Sequence, residues 1–205
     1  MITRRNLMVA AGAAAGAMAL GGNREAAAAV KMNDDGLHVQ DWFIDSFLDM
    51  REDVMAAHEA GRNYAVIIEQ RGCPFCKKTH EVNFAHPKVR DYIPANFDMV
   101  QLNLHGSRAV TDFDGEELEE RAIARKWQAN FTPTILFFPP PDRIGEGKSG
   151  RDIEAARLPG YFRPFTFLQM FRFVREGRYV ESNFQAYLNE QVQALEASGG
   201  DPANW

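Results

Sequence analysis

Apolar residues along this chain alternate between helical and strand spacing. Phe43, Phe47, Met50 and Val54 recur at i, i+4, i+7 and i+11, which predicts an amphipathic helix over residues 41–58, closed by Gly61. Tyr64-Ala65-Val66-Ile67-Ile68-Glu69 stays apolar until its last position, as a central strand covered on both faces does. Helical spacing resumes from Cys76 through Val82 and Phe84, breaks at Pro87, and continues over 88–96, before a strand over 98–104. Asp114 and Glu117 have capping-box spacing, which predicts a helix running to Ala129 with Leu118, Ala122, Ile123 and Trp127 on its inner face. Residues 131–138 read as a strand with Pro133 near its start, where a missing N–H does least damage to the ladder. A Pro- and Gly-rich stretch at 139–151 reads as an exposed insertion, the least ordered part expected, and a partner strand follows at 154–158. Phe167, Leu168, Phe171 and Val174 then mark a helix stopped at Gly177. A last helix over 182–197 carries Phe184, Tyr187, Leu188, Val192 and Leu195 as a stripe for the body or a partner. Strands alternating with helices indicate an α/β architecture.

Composition narrows this to one domain with a real core, since 205 residues at 45% hydrophobic can bury one. A net charge of −5 offers no basic stripe to release counterions from a polyanion, so no nucleic-acid partner is expected. Arg4-Arg5, followed by a weakly hydrophobic Ala- and Gly-rich run and Ala26-Ala27-Ala28-Ala29, reads as a signal peptide over 1–29. The paired arginines resemble a twin-arginine export signal, with a general secretory signal or an uncleaved anchor as the alternatives. Gly21 to Glu25 interrupt the apolar run too early for a spanning helix, so cleavage near Ala29 is expected, leaving a domain over 30–205 in the periplasm. Cleavage removes Arg4, Arg5 and Arg24 against the single acid Glu25, and leaves a more acidic protein.

Two cysteines two residues apart are too few and too close for a structural framework, so a bond between them is one to be made and broken. Cys73 follows a strand and would open a helix, where unpaired N–H groups and the macrodipole favour a thiolate. That makes Cys73 the nucleophile and Cys76, one turn on, the resolving thiol that attacks a mixed disulfide at Cys73. Pro74 suits the first helical turn. Glu69, four residues before Cys73, is either a desolvated proton acceptor for Cys76 or a solvated strand-end carboxylate. His80 either tunes the pair and shuttles protons or is a surface or packing histidine. A zinc site drawn from Cys73, Cys76, His80 and His86 is the competing chemistry, although structural zinc sites draw on a second ligand pair farther along the chain. Lys77 stands where a haem attachment motif requires histidine.

Two motifs mislead. Gly145-Glu146-Gly147-Lys148-Ser149-Gly150 fits G-x-G-x-x-G but lies in a polar insertion rather than between a strand and a helix. Asp112, Asp114 and Gly115 hint at a calcium loop but lack its later Gly and distal Glu.

The CxxC after a central strand, the Thr-Pro opening a later strand and the Gly after the next strand together resemble the thioredoxin superfamily. Gly72-Cys73-Pro74-Phe75-Cys76, His80-Glu81-Val82-Asn83-Phe84-Ala85, Val110-Thr111-Asp112-Phe113-Asp114-Gly115, Phe131-Thr132-Pro133-Thr134 and Pro159-Gly160-Tyr161-Phe162 are similar to the SoxW-type periplasmic thioredoxins. The resemblance implies a three-layer α/β/α fold with a central mixed sheet, here with an N-terminal helix and an extra C-terminal helix. It also implies a thiol–disulfide reductase linked to oxidation of sulfur compounds such as thiosulfate, with no cofactor beyond the Cys73–Cys76 disulfide. Its partners would be disulfide-bearing or persulfidated periplasmic proteins, and its electrons would come from a membrane thiol transporter of the CcdA/DsbD type. Pro133 would be cis and face the CxxC, Thr132 would pair its backbone with the bound partner, and Pro74 and Phe75 would join them in contacting substrate. Disulfide oxidase or isomerase activity, or a non-catalytic metal-binding module, are the alternatives. Ile67 stands where cytoplasmic thioredoxins carry a buried aspartate, and Pro74-Phe75 replaces their Gly-Pro, which places the expected potential between thioredoxin and the oxidising catalysts.

Overall fold

A computed structural model describes residues 30–205, so the signal peptide expected at 1–29 lies outside the described residues. A two-stranded antiparallel ribbon, β1 (Lys31–Met32) and β2 (His38–Val39), precedes α1 (Met50–Glu59) and β3 (Asn63–Glu69). Next come α2 (Pro74–Lys78), which runs on as a π-helical turn over Thr79–Phe84, then α3 (Pro87–Asn96) and β4 (Phe97–Asn103). A small hairpin of β5 (Ala109–Thr111) and β6 (Glu117–Glu119) leads into α4 (Glu120–Lys126) and β7 (Thr134–Phe138). The chain closes with α5 (Gly150–Ile153), β8 (Ala156–Pro159), α6 (Pro164–Arg175) and α7 (Phe184–Ala197).

The main sheet has the order β4-β3-β7-β8, with β3 parallel to β4 and the two remaining pairings antiparallel. Strand side chains alternate between faces, and β3 splits its residues accordingly. Tyr64, Val66 and Ile68 enter one apolar cluster with Met50 and Val54 of α1 and with Ile123 and Trp127. Ala65 and Ile67 enter a second, with Val89 and Ile93 of α3 and with Leu168 and Phe171 of α6. Helices therefore cover both faces of a mixed sheet, which is the three-layer α/β/α arrangement expected.

Two sequence expectations are corrected. The N-terminal helix begins at Met50 rather than at 41, because the Asp49 carboxylate caps it by accepting from the N–H groups of Arg51 and Glu52. Ahead of that cap the chain is irregular, and Ser46 Oγ accepts from the Leu48 N–H and donates to Asp53, while Phe47 is fully exposed. Asp114 and Glu117 do not form a capping box. Asp114 Oδ1 accepts from the Glu116 N–H in the tight turn between β5 and β6, and the helix starts only at Glu120.

Residues 139–151 are tied to the body at several points. Arg51 donates from Nε to the Phe113 carbonyl and from Nη2 to that of Gly145 at 2.8 Å. Ser149 and Asp152 form a capping box at the start of α5. Among the described residues no helix is long and apolar enough to cross a membrane.

Candidate functional site

The main sheet delivers its chemistry at the C-terminal end of β3. After Glu69 the chain turns through Gly72, whose φ of 72° suits a residue without a Cβ, and Cys73 becomes the N-cap of α2. Its Sγ accepts the Cys76 N–H at 3.0 Å, so a helix-terminal donor points at the Cys73 sulfur. Pro74 occupies the first helical turn, as expected from its missing N–H. Cys73 and Cys76 are joined in a disulfide, with Cys73 5% exposed and Cys76 1%. Of the two, Cys73 at the start of α2 is the more exposed.

Opposite it lies the loop before β7. The Thr132–Pro133 peptide is cis. Thr132 Oγ1 donates to Cys73 Sγ at 3.4 Å, and the Thr132 carbonyl oxygen lies 3.5 Å from the same sulfur. The Pro133 carbonyl accepts from the Gly160 N–H at 2.7 Å, which fixes the loop to the end of β8. Cys73, Thr132 and Pro133 are thus brought together from segments nearly 60 residues apart. The rim is aromatic. Phe75 is 55% exposed and stacks on Tyr161 with centroids 6.3 Å apart, Lys78 Nζ sits 4.4 Å above the Tyr161 ring, and Phe131 is exposed.

Beneath the CxxC helix is a buried polar cluster. Glu69 continues the Ala65 and Ile67 face of β3 and is 1% exposed, as is His80. His80 Nε2 lies 3.1 Å from Glu69 Oε2, and the Gln101 amide donates to that same oxygen at 2.6 Å. At the other side of the ring the Gln40 amide nitrogen lies 3.0 Å from Nδ1. A ring that accepts at Nδ1 carries its proton on Nε2 and donates it to Glu69. The second carboxylate oxygen, Glu69 Oε1, is buried with no hydrogen-bond partner among the described residues. His38 borders the cluster, its ring centroid 5.7 Å from that of His80, and burial together with the neighbouring imidazole pushes its basicity below the ordinary histidine value.

These contacts decide readings the sequence left open. Glu69 is not a solvated strand-end carboxylate, and His80 is not a surface residue. Gln40 and Gln101 escaped the sequence reading; Gln101 alone gave a signal, as a polar residue within an apolar strand opposite Ile67. The four paper ligands for zinc do not converge: His80 is turned to Glu69, and His86 stacks on Trp205 at 4.7 Å. No cluster of three metal-ligating side chains occurs among the described residues.

The two misleading motifs resolve into structure. The Gly150 N–H donates to Asp112 Oδ1 at 2.9 Å, and a Cβ there would meet Trp127, so the N–H a phosphate would need is held by a carboxylate of the chain itself. Asp112, Asp114 and Glu116 converge on Lys126 Nζ at 2.7, 2.7 and 2.8 Å, so the cation of the apparent calcium loop is a lysine ammonium.

The sequence matches the family described as thioredoxin-like domain over residues 50–175, more than half of the chain. The chain belongs to this thioredoxin-like family. A thioredoxin-fold protein from Helicobacter pylori is a similar solved structure, 18% identical, covering 72% of this chain and 98% of that chain with a TM-score of 0.51. A thioredoxin from Thermus thermophilus is 23% identical, with 62% of this chain and 83% of that one covered and a TM-score of 0.45. The C-terminal domain of Neisseria meningitidis DsbD in its oxidised form is 10% identical, with 63% and 96% covered and a TM-score of 0.42. No curated protein matches by sequence. A thioredoxin-like domain with a Cys73–Cys76 disulfide is a thiol–disulfide oxidoreductase.

Proposed function

We propose that this thioredoxin-like protein is an exported reductase of protein disulfides or sulfur adducts. The observation that carries the reading is the placement of Cys73 Sγ at the start of α2 and against Thr132, with Cys76 buried behind it. In the dithiol form the Cys73 thiolate attacks a partner disulfide, forms a mixed disulfide and expels the first partner thiolate. The Cys76 thiol gives its proton to Glu69, attacks Cys73 Sγ, and releases the second partner sulfur as Cys73–Cys76 closes. Two electrons pass to the partner, and its two released thiolates take up one proton returned from Glu69 and one from solvent. Glu69 Oε1 suits the acceptor role because it is desolvated and has no competing donor. Thr132 and Pro133 dock the partner strand, and Pro74 and Phe75 add apolar contact.

The reductive direction and the setting rest on the resemblance to SoxW-type periplasmic thioredoxins. They include a role in thiosulfate oxidation, reduction by a CcdA/DsbD-type membrane transporter, and the disulfide as sole redox group. The test is a Cys76→Ser variant expressed with its export signal. It should trap mixed disulfides with periplasmic proteins of the sulfur-oxidation system, and a variant that traps none sinks the proposal. The Cys73–Cys76 potential separates the two directions, since a value near that of DsbA, about −120 mV, indicates an oxidase and one below about −200 mV a reductase.

A further inference from the structure

A recess of about 350 Å³ opens between the loop after β4 and the end of α4, lined by Leu104, His105, Arg121, Arg125, Ala129 and Asn130. Its frame is the same chain that carries the redox pair. The Leu104 N–H donates to the Glu69 carbonyl at 2.8 Å, and His105 Nε2 lies 3.2 Å from Oε1 of Gln70, three residues before Cys73. On the other side, Asn130 stands two residues before Thr132, whose hydroxyl meets Cys73 Sγ. The recess is thus framed by the segments that lead into Cys73 and into Thr132.

The charges in the recess are unequal. Arg121 and Arg125 are one helical turn apart on α4, so their guanidinium groups share a face. Arg121 is paired with Glu119, both half-exposed, while Arg125 has no acidic partner among the described residues. The buried acid next to Arg121 in sequence, Glu120, offers no compensation. Its two oxygens are taken by the N–H groups of Asn103 and Arg108 and by the Arg108 guanidinium, contacts that also hold the His105 loop in place. The whole chain carries a net charge of −5, so this concentration of cationic groups runs against the average. A guanidinium presents paired N–H donors that match a carboxylate, and the volume suits a side-chain-sized anion rather than a cofactor.

We infer that this recess is an anion subsite, and that the protein prefers disulfides carrying a carboxylate or similar anionic group beside the sulfur. The inference rests on the thiol–disulfide reading of Cys73 and Cys76 and adds the class of substrate. In each turnover the protein dithiol becomes the Cys73–Cys76 disulfide, and the substrate disulfide takes two electrons and two protons to become two thiols.

Three disulfides of one skeleton test it: 3,3′-dithiodipropionate, 2-hydroxyethyl disulfide and cystamine, whose ends are anionic, neutral and cationic. The reduced full-length protein is mixed with each in single-turnover experiments, alongside Arg125→Gln and Arg121→Gln/Arg125→Gln variants. The anionic-to-neutral rate ratio should fall about 10-fold in the variants, in line with loss of a charge-assisted contact, and the cationic-to-neutral ratio should rise. Ratios unchanged between wild type and variants overturn the subsite while leaving the oxidoreductase intact. A wild-type dithiol that reduces none of the three overturns the redox reading itself. A parallel pair of peptide disulfides flanked by Asp or by Lys tells acidic protein partners from small anionic disulfides, and absence of discrimination in both series counts against the subsite.

Discussion

His80 Nε2 and Glu69 Oε2 lie 3.1 Å apart, and neither side chain reaches water. The pair occupies the layer beneath the CxxC helix, and Glu69 stands two residues beyond Ile67 on the same face of β3. An acid is thus present under the redox pair, but it enters from a different residue and brings a histidine with it.

Removing the acid should slow resolution rather than attack. Glu69→Gln keeps the shape and removes the acceptor, so closure of Cys73–Cys76 at neutral pH should slow about 100-fold, the scale of a lost general base. Rapid-quench measurement of mixed-disulfide lifetime checks this, and the deficit should shrink at high pH, where Cys76 ionises unaided. A lifetime equal to wild type would exclude Glu69 as the acceptor.

Removing the histidine should cost stability. His80→Phe leaves the Glu69 carboxylate buried with only the Gln101 donor, and loss of one partner of a buried charge costs about 3 kcal/mol. Urea unfolding of the oxidised protein measures it. His80→Gln, which retains an N–H donor, should recover at least half of the loss.

The lysine at the centre of three carboxylates makes a prediction about acid. Burial pushes the Asp114 carboxyl up, but the hydrogen bonds from Lys126 and from the Glu116 backbone outweigh it and hold Asp114 below its ordinary value. A lowered carboxyl contributes stability that is complete above the unfolded value, about 3.9, and is lost as pH falls through the folded one. Wild-type stability should therefore draw on this cluster down to about pH 4 and lose its contribution below. Lys126→Met should lower stability at pH 7 and flatten that acid limb, as followed by thermal unfolding across pH 2–7. A limb as steep as that of wild type would remove the cluster from the account.

The exposed aromatic rim should matter for encounter and not for folding. Phe75→Ala removes one ring of the stack with Tyr161 and should raise KM for a protein disulfide several-fold, with Tm within a few degrees of wild type. Insulin reduction monitored over a range of substrate concentrations separates KM from kcat.

The strand and helix that carry the chemistry are legible in the sequence because their signals are local. The apolar run 64–69 and the CxxC that follows it share one short segment, and Thr132 and Pro133 are recognised through the company they keep. His80 shows the opposite. Its burial depends on Gln40 before the first helix and Gln101 on the neighbouring strand, 40 and 21 positions away, and spacing along one helix cannot report either. The 41–58 helix fails for a related reason. Four apolar residues fit its period, but Asp49 and Ser46 hold the chain in a cap that wins over periodicity. Asp114 has the spacing of a cap, but its partner Lys126 lies at the far end of the helix that spacing predicts, where local pattern does not report it.

The division of β3 into two faces carries a further constraint. Every odd-numbered residue from Ala65 to Glu69 belongs to the layer beneath the redox helix, and every even-numbered one from Tyr64 to Ile68 to the opposite layer. One residue added or deleted inside this strand would exchange those addresses, carrying the carboxylate to the side of Trp127 and away from Cys76. The seven positions of β3 therefore accept substitution but not a change of length without moving Glu69 from one layer to the other.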